Sequence, residues 1–195
     1  MADSKRIGNP GSGMSRRHLI GAGAAAAVSA AFLGGCVSPG DVRLSPEDAA
    51  ALRIRSITVD VGPLVALGLT PWAGLVKSTL EPELARLFAA RLTPGDKRAD
   101  RLVVRVSAVT LASWAGSSSG GGRWLSGGGD TDYMEGDAII IGPDGAERAR
   151  RRILLALSSD FSGAWYLPDI DTRRVIGLSR VFAQWVRDQL VGRRG

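Results

Sequence analysis

Few side chains in this sequence can act as a nucleophile, a general base or a metal ligand. Its 195 residues include one cysteine and one histidine, Cys36 and His18. Beyond Cys36 the chain has neither residue type. That removes Ser-His-Asp and Cys-His catalysis, in which an imidazole must move the nucleophile's proton. It also removes zinc sites built on His or Cys and histidine general-base chemistry. Catalysis would have to rest on carboxylates, serine, tyrosine, or Lys77 and Lys97, and neither lysine lies in a Ser-x-x-Lys pattern. The expectation is a protein that is not an enzyme and carries no cofactor or metal.

Acidic residues cluster once, at Asp130, Asp132, Glu135 and Asp137. Their spacing does not fit an EF-hand loop. Two carboxylates can hydrolyse a glycoside when the fold fixes their separation, and nothing in the sequence fixes it. Opposite a strand of arginines they would be ordinary cross-strand partners. Such a strand follows: Arg148, Arg150 and Arg152 alternate with apolar residues and are expected on one face. Three guanidinium groups in a row could bind phosphates or anionic headgroups. Equally, they could form a solvated face that discourages edge pairing. Between residues 113 and 129, runs of Ser and Gly flank Trp124 and Leu125. This reads as a low-complexity loop, since glycine loses the most entropy on ordering. Its aromatic tip either folds back onto the sheet or meets a headgroup layer or a partner.

The residues that best define the chain are those around its one cysteine. Residues 15–36 read SRRHLIGAGAAAAVSAAFLGGC. Lys5, Arg6, Arg16 and Arg17 form a basic region. Residues 19–33 carry no charge, and small residues precede Cys36. These are the parts of a secretory signal. The apolar run is short of the roughly 20 residues that span a bilayer. Leu33-Gly34-Gly35-Cys36 resembles the lipobox of bacterial lipoproteins. The resemblance implies cleavage before Cys36 and diacylglycerol on its thiol, often with acylation of the new amino terminus. Ser15-Arg16-Arg17-His18-Leu19 resembles a twin-arginine export motif, an address read by a receptor, although that family often places Phe where Leu19 stands. Residues 1–35 are thus expected to be a signal peptide, whose translation could start at Met14, and residues 36–51 a lipidated tether. No Asp follows Cys36 directly, which in some bacteria marks retention in the inner membrane. The expected place is therefore the periplasmic face of the cell envelope, with the outer membrane favoured.

The chain carries a formal charge of +6. Without residues 1–35 it keeps 21 basic and 18 acidic residues, a net of +3. That falls short of the basic stripe of a nucleic-acid binder. About 160 residues is one domain's worth, enough for a core without disulfides.

The elements that must position these residues follow in order. Residues 53–61 alternate, with Ile57, Val59 and Val61 in phase, and predict a strand. Residues 72–92 carry a helical stripe of Val76, Leu80, Leu84, Leu87, Phe88 and Leu92. Pro82 predicts either a kink there or a helix that begins near Thr79, with Glu81 and Glu83 in its first turn. Residues 100–114 predict a strand. Residues 133–141 and 146–158 predict a hairpin about Gly142-Pro143-Asp144-Gly145. A final helix capped by Asp171 or Thr172 is expected to run to about Val191, with Val175, Leu178, Phe182, Trp185 and Gln189 on its buried face. The prediction is an α+β domain over residues 52–191, followed by a polar tail at 192–195. Its architecture is a two-layer sandwich of order β-α-β-β-β-α, in which a mainly antiparallel four-stranded sheet carries two helices on one face.

Behind a lipobox, this order resembles the small auxiliary lipoproteins of ABC-type lipid transporters and of lipopolysaccharide assembly. The pieces that carry the resemblance are residues 57–61, the helix from Thr79, residues 100–111, the hairpin about Gly142 and the last helix. The resemblance implies a membrane-anchored, non-catalytic accessory or scaffold with an envelope protein as partner. The alternative is a binder of anionic lipid or lipopolysaccharide that uses the arginine face and the Trp124 loop.

Overall fold

Four strands of alternating or apolar pattern pair into a single sheet of order β1-β2-β3-β4. They are β1 (Ile54–Asp60), β2 (Asp100–Thr110), β3 (Thr131–Ile141) and β4 (Glu147–Ser158). The computed structural model describes residues 40–112, 131–163 and 166–192, all within one unit, Ser38–Gly195. The expected export and lipidation residues Arg16, Arg17, Leu33, Gly34, Gly35 and Cys36 lie outside the described residues, as do Trp124, Leu125 and Asp130.

β1 and β2 run parallel, while β2–β3 and β3–β4 are antiparallel. A parallel pair needs a long crossover, here supplied by α2 (Gly62–Ala66) and α3 (Thr70–Leu87). The last helix, α4 (Ile170–Val191), packs beside α3 over the same side of the sheet. The fold is therefore the expected α+β arrangement of a mixed, mostly antiparallel sheet with helices packed against it.

One dry layer holds the two sides together. Ile54, Val59, Leu102, Val104, Val106, Met134, Ala138, Ile140, Ile153 and Leu155 meet Val76, Leu80, Leu84, Leu178, Phe182 and Val186. A fully buried Phe or Leu contributes about 1.5–3 kcal/mol. A register shift between Ile54 and Ser56 puts one extra residue in β1. Ile54 and Ile57 both face the core because of it, although three residues apart on a strand would otherwise oppose them.

Several expectations need correcting. The first long helix does not begin near Thr79. It starts at Thr70, takes Pro71 in its first turn, where proline is tolerated, and continues through Pro82. Glu83 therefore lies inside α3 and pairs with Arg86 instead of facing a helix start. Burial of Ala73, Val76, Leu80 and Leu84 offsets the roughly 3 kcal/mol that an interior proline costs. The last helix begins at Ile170, so Asp171 is inside it. Trp185 is 39% exposed, and the buried stripe is centred on Val175, Leu178, Phe182, Val186 and Leu190.

The largest correction concerns residues 41–51, expected as part of a tether. They are docked on the domain. Val42 makes both backbone hydrogen bonds of an antiparallel bridge to Arg150, at the free edge of β4. Asp41 accepts from the buried Arg151 guanidinium at 2.8 Å and from the Arg152 backbone N–H at 2.9 Å. Ser45 caps the short helix α1 (Pro46–Ala51). Arg91 donates to the carbonyls of Ala49, Ala50 and Leu52 at its far end.

Candidate functional site

The hairpin that carries the predicted arginines is closed by its turn chemistry. Gly145 adopts φ +85°, a left-handed conformation that glycine reaches without steric cost. Asp144 accepts from the Ala146 N–H. Just past this turn the register slips between Ile140 and Ile141. Arg148 is the residue left over. It leaves the row and crosses beside Gly142 to Asp100 at 2.8 Å and Asp48 of α1 at 3.2 Å. The predicted face of three arginines is thus a pair, because a one-residue slip re-aims every side chain before it.

Arg150 and Arg152 keep the open face of the sheet, away from the helices. They line a shallow depression of about 330 Å³ with Asp41, Ser107, Glu135, Gly136 and Asp137. Arg150 binds Glu147 through Nε at 2.9 Å and Nη2 at 2.6 Å, and its Nη1 lies 3.5 Å from Asp137. Arg152 pairs with Glu135. Hydrogen bonding to Glu147 raises the pKa of Arg150, and Glu135 does the same for Arg152. In return the Arg150 guanidinium lowers the Glu147 carboxyl below the usual range. An anion entering here must displace these carboxylates, so the pair is a satisfied cross-strand network, and in this conformation not an open anion site.

The acidic cluster is dispersed by the same alternation. Glu135 and Asp137 point outward to arginines. Asp132, in phase with Met134 and Ala138, points inward. Asp132 therefore does not share the depression that Glu135 and Asp137 line, and among the described residues no group of three or more His, Cys, Asp or Glu is placed to hold a metal.

Asp132 belongs instead to a buried clamp. Its side chain and that of Arg174 are 3% and 2% exposed. Arg174 donates Nε to Asp132 at 2.7 Å and Nη1 to Asp171 at 3.0 Å, and it also forms a second contact to Asp132 through Nη2. Nη2 also reaches the Ala112 carbonyl at 2.9 Å, while the Ala112 N–H donates to Asp132 at 2.9 Å. Hydrogen bonding to Asp132 raises the Arg174 pKa, although burial opposes it. Ala112 and Asp132 stand on either side of residues 113–130. The clamp therefore ties together both ends of that segment and docks them on α4. Beside it, Leu69, Trp72, Val109, Leu111 and Asp171 line a depression of about 380 Å³.

Sequence reasoning did not single out this clamp, yet its signal was present. Arg174 sits four residues before Leu178 on the apolar stripe of its helix, and Asp132 is in phase with the inward residues of its strand. A charge in phase with a buried stripe requires a buried partner. The same test finds Arg151, in phase with Ile153 and Leu155, whose partners are Asp41 at 2.8 Å and Gln189 at 2.6 Å.

Neither a known protein family nor a curated protein matches the chain.

Proposed function

We propose that this protein is a lipoprotein of the cell envelope, held by lipid on Cys36, facing the periplasm, and working there as a non-catalytic accessory or scaffold. The observation that carries the reading is the order of parts around Cys36: an arginine pair, an uncharged run, then Leu33-Gly34-Gly35 and the only cysteine of the chain. The fold is consistent with a cut before Cys36. Among the described residues the packed unit runs from Leu44 to Val191, downstream of that cut. A scaffolding role, with an envelope protein as partner, is supported by carboxylates that are engaged by arginines: Asp41, Glu135 and Asp137, which line the shallow depression, bind Arg151, Arg152 and Arg150. The outer membrane is the favoured location.

The test is metabolic labelling with palmitate together with membrane fractionation. The wild-type chain should take up label and sediment with membranes. Cys36→Ser should lose the label and keep its N-terminal segment. Equal labelling of wild type and variant, or an uncut wild-type chain, overturns the anchor. Crosslinking in living cells then identifies the partner.

A further inference from the structure

The docked segment around α1 meets the last turn of α4. Between them lies a hollow of about 540 Å³. Small-molecule sites have volumes of this order, with apolar walls and a few placed polar groups. Leu44 and Pro46 line the hollow from the α1 side, and the buried Leu190 lines it from α4. Three arginines complete the lining, Arg43, Arg91 and Arg151. It is distinct from the shallow depression that holds Arg150 and Arg152.

The three arginines are engaged to different degrees. Arg151 is 8% exposed and gives Nη1 to Asp41 and Nη2 to Gln189, while its Nε is buried with no hydrogen-bond partner. A buried donor without an acceptor is costly, and an oxygen placed beside it would lower that cost. Arg91 spends only Nη1, on three carbonyls, and leaves Nε and Nη2 uncommitted among the described residues. Arg43 is exposed and has no carboxylate partner among the described residues. The one acidic residue of the lining, Asp188, is paired with Arg187 at 2.8 Å. Asp41 likewise balances Arg151, so Arg43 and Arg91 carry two uncompensated positive charges. The carbonyl end of α4 adds about half a negative charge, too little to cancel them.

We propose that this hollow binds a small anionic amphiphile, a phosphate monoester with a short hydrocarbon tail. Three terminal phosphate oxygens can accept from Arg43, Arg91 and Arg151 together, and charge-assisted bonds of this kind are the strong ones. The tail lies on Leu44, Pro46 and Leu190. The inference does not depend on lipidation of Cys36, and it gives the domain a ligand without giving it a reaction.

The test titrates hexyl phosphate into the full chain in a maltoside detergent, followed by calorimetry and by amide chemical shifts, with a micelle-only titration subtracted. Binding should saturate and move the amides of Ala49, Ala50, Leu190 and Val191, which border the hollow. Hexanol lacks the charge and inorganic phosphate lacks the tail, so each should bind at least about tenfold more weakly. Arg43→Gln should weaken hexyl phosphate by about tenfold, the loss of one charge-assisted hydrogen bond. Its unfolding midpoint should not move, because Arg43 holds no other residue in place. Ala50→Phe fills the hollow from an exposed position of its lining and should block binding. Arg101→Gln removes the same charge from an exposed position of β2 outside the lining and should bind as the wild type does. Absence of saturable binding, shifts confined to other residues, undiminished binding by Ala50→Phe, or equal weakening by Arg101→Gln overturns the proposal. Inorganic phosphate or hexanol binding as tightly as hexyl phosphate overturns it too, since either the tail or the charge would then be idle. Octyl phosphate that binds more tightly than hexyl phosphate supports a lipid-derived tail, and equal affinity supports a free short-chain ester.

Discussion

Arg174→Met removes a guanidinium of similar length and leaves the carboxylate of Asp132 3% exposed, with the Ala112 N–H as its remaining donor. Breaking one side of a buried pair typically costs about 3–5 kcal/mol, because the surviving charge is stranded away from water. Domains of this size have about 5–15 kcal/mol in total. The variant should therefore lose a large share of its stability, with Tm falling by on the order of 10 °C. Asp132→Asn should cost less, since Arg174 keeps Asp171 and the Ala112 carbonyl as acceptors. The double variant Arg174→Met with Asp132→Leu strands no charge and should be far closer to wild type than the sum of the single losses. Urea unfolding of each chain, followed by circular dichroism, gives the cycle. A loss below about 1 kcal/mol for Arg174→Met, or a double variant that equals the sum of the singles, would refute the clamp.

Gly136→Ala should destabilise by about 2 kcal/mol or more, since a Cβ there would lie 2.2 Å from the Arg105 carbonyl, a backbone atom that cannot swing aside. Gly177→Ala should cost far less in the same denaturation assay, because the nearest atom, at 2.4 Å, is the rotatable Ser162 hydroxyl. Asp41→Ala strands the Arg151 guanidinium, 10% exposed, and frees the Arg152 N–H. It should cost about 3 kcal/mol and expose residues 41–51 to proteolysis in the native state. Acid should destabilise the fold through Asp60, Glu83 and Glu147. Hydrogen bonds from Arg105, Arg86 and Arg150 lower these carboxyls below their ordinary 3.8, 4.5 and 4.5. A depressed folded-state pKa stabilises fully above the unfolded value and is lost as pH falls through the folded one. The unfolding midpoint should therefore hold from pH 7 to about 5 and fall below about 4.

The sequence alone determined the elements whose pattern is local. Alternation fixed β2 and the hairpin to within a few residues, and Pro143-Asp144-Gly145 marked its turn. The lack of His and Cys beyond Cys36 restricted the chemistry before any fold was known. Tertiary structure decided what depends on register and on distant partners. A slip of one residue at Ile140 took Arg148 out of the arginine row, which no periodicity could show. Pro82 stayed inside a helix because core burial outweighed its local cost. Asp41 to Ala51, polar and rich in turn-forming residues, read as a tether. It is held by Arg91, Arg150 and Arg151, residues 40 to 110 positions away in sequence. Local pattern can show that a charge lies in phase with a buried stripe. Only the fold could show that Arg174 meets Asp132, because their pairing depends on how α4 lies across the sheet.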